Sequence, residues 1–186
     1  MSLKITKEIL LYIFFSVLLF LLSFFYGFTQ ESPFLNEIMK ETKKMSGFFR
    51  QFSPPGLFLM ILVHNTLTIF GVVFFSVIFA LPALFSLVLN GALIGAVLKV
   101  TPSFAYFFWG VFPHGIFELP AFFLGNALGL KIGKETLKAI FSKESTLNDA
   151  FNLSKKLFVK IILPLLILAA FIESTITPYL LWKTPF

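Results

Sequence analysis

The sequence predicts an all-α membrane protein of about five transmembrane helices, and three observations carry that reading. First, 58% of the 186 residues are hydrophobic and only 13% are charged, whereas a soluble domain has roughly 45–50% apolar and about 25% charged residues. Second, the apolar residues fall into uninterrupted runs of about bilayer length, and the mean hydropathy is +0.92. Third, the charges, apart from Glu118 and Glu173, fall at the ends of those runs or in the stretches between them. No water-soluble surface can be built from this inventory. The chain has no cysteine, which excludes disulfides and thiolate metal sites. Its net charge of +6 belongs to lysines that mark a cytoplasmic face and meet anionic headgroups, so the expected partner is the lipid bilayer and no nucleic acid.

The elements follow in order within one transmembrane domain, 1–186. Residues 9–28 carry no charge and follow Lys4, Lys7 and Glu8. Tyr26-Gly27-Phe28-Thr29-Gln30 is too bulky for a signal-peptidase site, so the run is expected to stay as the first span. The 29–56 stretch is a polar loop with Glu31, Glu37, Lys40, Glu41, Lys43, Lys44 and Arg50. Leu35, Ile38, Met39 and Met45 suggest an interfacial helix over 36–49. Between Leu57 and Leu98 no side chain carries a full charge. That length fits two spans, 57–80 and 82–98, punctuated at Pro82 and paired as an antiparallel hairpin. Asn90-Gly91-Ala92-Leu93-Ile94-Gly95 contains a small-xxx-small motif, open to use as a packing contact or as a dimer interface.

The fourth span covers 104–130 and is too long for one straight crossing of a hydrocarbon core of about 30 Å. Pro113, Gly115 and Pro120 lie inside it. Each proline removes a backbone donor, so the span is expected to kink or break into half-helices at Pro113–Pro120. Residues 131–160 hold seven lysines and amphipathic spacing, which suggests one or two surface helices and a docking loop for a protein partner. The last span covers 161–182 and ends in Tyr179 and Trp182. Five spans place nine basic residues, including the amino-terminal lysines and the 131–160 loop, on one side against six on the other. The positive-inside rule makes the richer side the cytoplasm of a cell membrane.

The polar residues inside the apolar blocks are few. Glu118 and Glu173 are the acids, and His64 and His114 the histidines, with Asn65 beside His64. An ionisable group at membrane depth costs at least about 2.5–3.5 kcal/mol, so such residues face a bundle interior or a pathway. His114 and Glu118 are four apart and share a helix face. His64, Asn65, His114, Glu118 and Glu173 are therefore expected to converge on one buried cluster. Four uses are open for it: a helix clamp, a proton or ion pathway, a metal site with His114 and Glu118 as first ligands, or an intramembrane hydrolase. No phosphate-binding, zincin or serine-hydrolase motif occurs, so no enzyme activity and no cofactor are expected.

Four stretches resemble the stage II sporulation protein M family. PHGIFELPA at 113–121 is the specific one. HNT at 64–66, NGALIG at 90–95 and AAFIESTITP at 169–178 resemble the family's other elements, although the usual first Asn of the HNT element is His64 here. The resemblance covers about residues 57–182. It implies a multi-span helical membrane protein. Its sporulating members act with a peptidoglycan hydrolase and another membrane protein, as the scaffold of that complex. The leading expectation is thus a membrane scaffold or assembly factor, as a homodimer. The alternative is a transporter or channel component, for instance the permease part of a larger complex.

Overall fold

The computed structural model describes residues 7–30, 32–37, 39–40, 52–101, 103–142 and 145–183. It contains α1 (Lys7–Thr29), α2 (Pro54–Phe75), α3 (Leu81–Val100), α4 (Phe104–Phe141), α5 (Leu147–Leu157), a π-turn (Phe158–Ile162) and α6 (Leu163–Lys183). Helices α1 to α4, and the continuous rod from α5 to α6, are each long and apolar enough to cross a membrane. Residues 33–37 and 39–40 are helical; most of the interfacial helix expected over 36–49 lies outside the described residues.

Helix α1 buries Ile9, Ser16, Phe20, Ser23 and Gly27 on one stripe. These are mostly small, so α3 can lie backbone to backbone against it. A Cβ on Gly95 would overlap the carbonyl of Phe24, and one on Gly91 the carbonyl of Phe20. The small-xxx-small motif is thus a contact within the chain, between α1 and α3.

The α2–α3 link differs from the sequence reading. Helix α2 stops at Phe75, not residue 80. The hydroxyl of Ser76 donates to the carbonyl of Val72 (2.6 Å) and accepts from the amide of Ala83 (3.2 Å), which ends one helix and holds the start of the next. Phe79 and Ala80 take positive φ, 52° and 62°, so the chain reverses within a few residues. Hydropathy cannot show this, because residues 77–80 are as apolar as the helix before them.

Helix α4 forms the spine. The Ser103 side chain caps its start by accepting from the amide of Tyr106 (3.1 Å). It runs helical through Pro113 and Pro120 rather than splitting into two halves. It also continues to Phe141, so residues 131–141 extend the spine where a surface loop was expected. Gly125, Gly129 and Gly133 recur every fourth residue and face Ile69, then Ser76 and Val72, then Ala80. Phe20 packs edge-on against Phe122 and Phe123 (centroids 5.9 and 5.3 Å), bringing α1 onto the same helix.

The charged end of the bundle is tied by ion pairs. Glu8 accepts from Lys131 (2.6 Å) and Lys134 (2.7 Å), so the start of α1 and the extension of α4 share one end. The buried Glu135 accepts from Lys138 (3.0 Å) and from the amide of Thr146 (3.0 Å), and so anchors the start of α5. The rod from α5 to α6 passes through the π-turn just before Pro164. There the amide of Leu163 donates to the carbonyl of Phe158, five residues back. The wider turn accommodates the missing proline donor without ending the helix.

Candidate functional site

Helices α4 and α6 run antiparallel in contact. Gly110 lies against Leu181 near one end of the seam, and Gly125 against Ile162 near the other. Two i,i+4 pairs meet between these points. His114 and Glu118 come from α4, Glu173 and Thr177 from α6. Residues four apart project from one helix face, so each helix presents two polar groups to the other.

The three titratable side chains come together. One ligand atom from each of His114, Glu118 and Glu173 lies within 4.8 Å of the other two. His114 Nε2 stands 3.9 Å from a Glu118 oxygen. His114 Nδ1 makes a long contact, 3.5 Å, with the hydroxyl of Thr177. Exposure of the side chains is 13% for His114 and 32% for Glu118. Among the described residues, no lysine or arginine pairs with Glu118 or Glu173, and neither carboxylate accepts a hydrogen bond.

One of the expected five stays apart. His64 is exposed in the middle of α2, and the neighbouring Asn65 is half-buried there. His64 is not part of the histidine–glutamate group. Asn90 is half-buried and donates to the carbonyl of Ser86 in its own helix (2.9 Å). Gly115 is buried, but a Cβ there would meet only Leu119 and Val111 side chains at 3.9 Å, so no close approach requires glycine. Thr177 was not anticipated. Its signal is the i,i+4 spacing to Glu173 on the last span, the counterpart of the spacing that revealed His114 and Glu118.

The sequence pattern that defines the family described as Stage II sporulation protein M matches residues 10–178. The chain belongs to this family. The match begins in α1, well before residue 57 where the resemblance read from the sequence starts. A relative in Methanocaldococcus jannaschii, named uncharacterized protein MJ0793, is 32% identical over 173 residues, covering 88% of this chain and 92% of the relative. No solved structure matches the chain. All members of the site, from His114 to Thr177, fall within the matched region.

Proposed function

We propose that the protein is a non-enzymatic assembly subunit of the cell membrane, a scaffold on which another membrane chain packs, with a second copy of itself as the first partner. The observation that carries this is polarity left partly or fully exposed at mid-helix. Glu118 keeps 32% of its side chain exposed, and His64 is exposed midway along α2. Lipid tails cannot hydrogen-bond such groups, whereas a neighbouring helix can. The scaffold role implied by the family resemblance agrees. The lysine balance, together with the shared end of Glu8, Lys131 and Lys134, supports a cytoplasmic amino-terminal end and a docking surface around 131–160.

The absence of cysteine makes the test direct. His64→Cys in native membranes should form a disulfide-linked dimer on mild oxidation, while Val88→Cys on the outer face of α3 should not. A monomer in nanodiscs, with no cross-link to any chain at position 64, overturns the reading. For sidedness, Ser142→Cys should react with an impermeant maleimide only in inverted vesicles, and Thr101→Cys only in intact cells.

A transport component is the second reading, favoured by the meeting of His114, Glu118 and Glu173 in one seam. Proton or cation flux in proteoliposomes that disappears in both Glu118→Gln and Glu173→Gln, with folding intact, would replace the scaffold reading.

A further inference from the structure

We propose that His114, Glu118 and Glu173 form an intramembrane binding site for a divalent transition-metal ion of the zinc or manganese type. The first argument is charge. Two carboxylates lie together in an apolar region, and among the described residues no lysine or arginine neutralises them. Burying uncompensated charge is among the most costly arrangements a protein can adopt, and such groups pair or coordinate metals. One divalent cation with two carboxylates and a neutral imidazole gives a site of zero net charge.

The second argument is geometry. Metal–nitrogen and metal–oxygen bonds of about 2.0–2.2 Å place two ligands of one tetrahedral ion about 3.3–3.6 Å apart. The His114–Glu118 separation of 3.9 Å stands a few tenths of an ångström beyond that range, and the group as a whole lies within 4.8 Å. Small χ rotations, with no helix movement, close the remainder. The third argument is orientation. A metal-ligating histidine ordinarily donates its other ring N–H to a neighbour, which fixes the tautomer. Thr177 stands beside Nδ1 of His114, leaving Nε2 toward Glu118 as the lone-pair nitrogen.

One nitrogen and two oxygens suit zinc, manganese or ferrous iron better than the hard calcium ion, which takes six to eight oxygens. Three protein ligands also leave a coordination position open. The partial exposure of Glu118 puts that position where water or a group from an adjacent chain can reach it. This inference does not depend on the scaffold reading: cross-linking at position 64 can succeed with no metal bound, and the reverse.

The test uses the full chain in detergent, stripped with chelator and then dialysed against Zn²⁺, Mn²⁺ or Co²⁺. About one ion per chain should remain, as expected for one three-ligand site. The cobalt form should show visible d–d bands, and thermal stability should rise saturably with Zn²⁺. Glu118→Gln/Glu173→Gln should bind at least tenfold more weakly and lose the cobalt bands. If that variant fails to fold, His114→Gln and the saturable stabilisation of the native chain carry the test. No retained ion above a calcium control, or an unchanged cobalt spectrum in a folded variant, overturns the proposal.

Discussion

Helix α4 contains two regions of opposite character. From Ala121 to Glu135 most side chains are buried, whereas from Phe104 to Pro120 only Gly115 is. The inner region packs against α2 and α3 through Gly125, Gly129 and Gly133, and against α1 through Phe122 and Phe123. Its carboxylate, Glu135, has hydrogen-bond partners on both oxygens. The outer region carries both prolines, His114 and Glu118, and its carboxylate has none among the described residues. One helix thus separates a part built for close packing, whose carboxylate is fully partnered, from a looser part whose carboxylate has no hydrogen-bond partner among the described residues. Unsatisfied polarity is retained where it serves a purpose other than stability.

The largest expected effect breaks the inner region. In Gly133→Ala the new methyl would overlap the backbone of Ala80, which is held in a tight reversal at positive φ and cannot retreat. Over-packing against backbone puts the cost at about 3 kcal/mol. Thermal unfolding in detergent should show a large drop, with loss of folded protein at growth temperature. A Gly133→Ala chain as stable as the native one would mean that the α2–α3 turn does not sit on α4.

Next comes a matched pair of charge removals. Glu135→Gln loses the ion pair to Lys138 and sets an amide against donors on both sides, at a cost of about 2 kcal/mol. Glu118→Gln removes a carboxylate that has no such partners, so metal-free protein should be as stable as the native chain or more so. If Glu118→Gln destabilises as much as Glu135→Gln, the two regions are alike and the outer cluster is a clamp after all.

The asymmetry explains what the sequence could show. Spans were legible because lipid selects charge-free runs, and His114 with Glu118 stood out because spacing on one helix is local information. Convergence of Glu173 needed the α4–α6 register, yet membrane cost alone pointed to it. His64 failed the same argument, since cost at depth does not say which way a helix faces. The ends of α2 and α4 were missed for a related reason. Apolar residues 77–80 form a turn, and Lys131 and Lys134 continue a helix because Glu8 receives them. Periodicity measures neither. The stripe of Gly125, Gly129 and Gly133 was visible as an every-fourth-residue repeat and is the signal that marks the inner region.

A smaller effect sharpens the comparison from the other side. Gly115→Ala adds a methyl into ordinary contact with Leu119 and Val111 at 3.9 Å. Removing a helix-interior glycine without a clash should raise stability by about 0.5–1 kcal/mol. The same substitution type eighteen residues along the helix then has opposite signs at Gly115 and Gly133.

The smallest effect lies at the charged end, where Glu8 sits just before the apolar run of α1. Hydrogen bonds from Lys131 and then Lys134 lower its carboxyl to about 2, below its ordinary value of 4.5. A carboxyl lowered in the folded state contributes stability that is complete above its unfolded value and is lost as the pH falls through the folded one. The tie between α1 and α4 should therefore hold at neutral pH and weaken between about pH 4.5 and 2. Glu8 is a third exposed, so water screens the pair and its worth stays near 1 kcal/mol or below. Glu135 lies at the same end and titrates in acid as well, so the difference between the native chain and Glu8→Gln is the quantity that isolates this carboxylate. That difference in unfolding temperature should be small and constant from pH 7 to 5, then shrink toward zero in stronger acid. A gap that widened in acid would place the stability of this end elsewhere, in Glu135 and the α5 anchor that it holds.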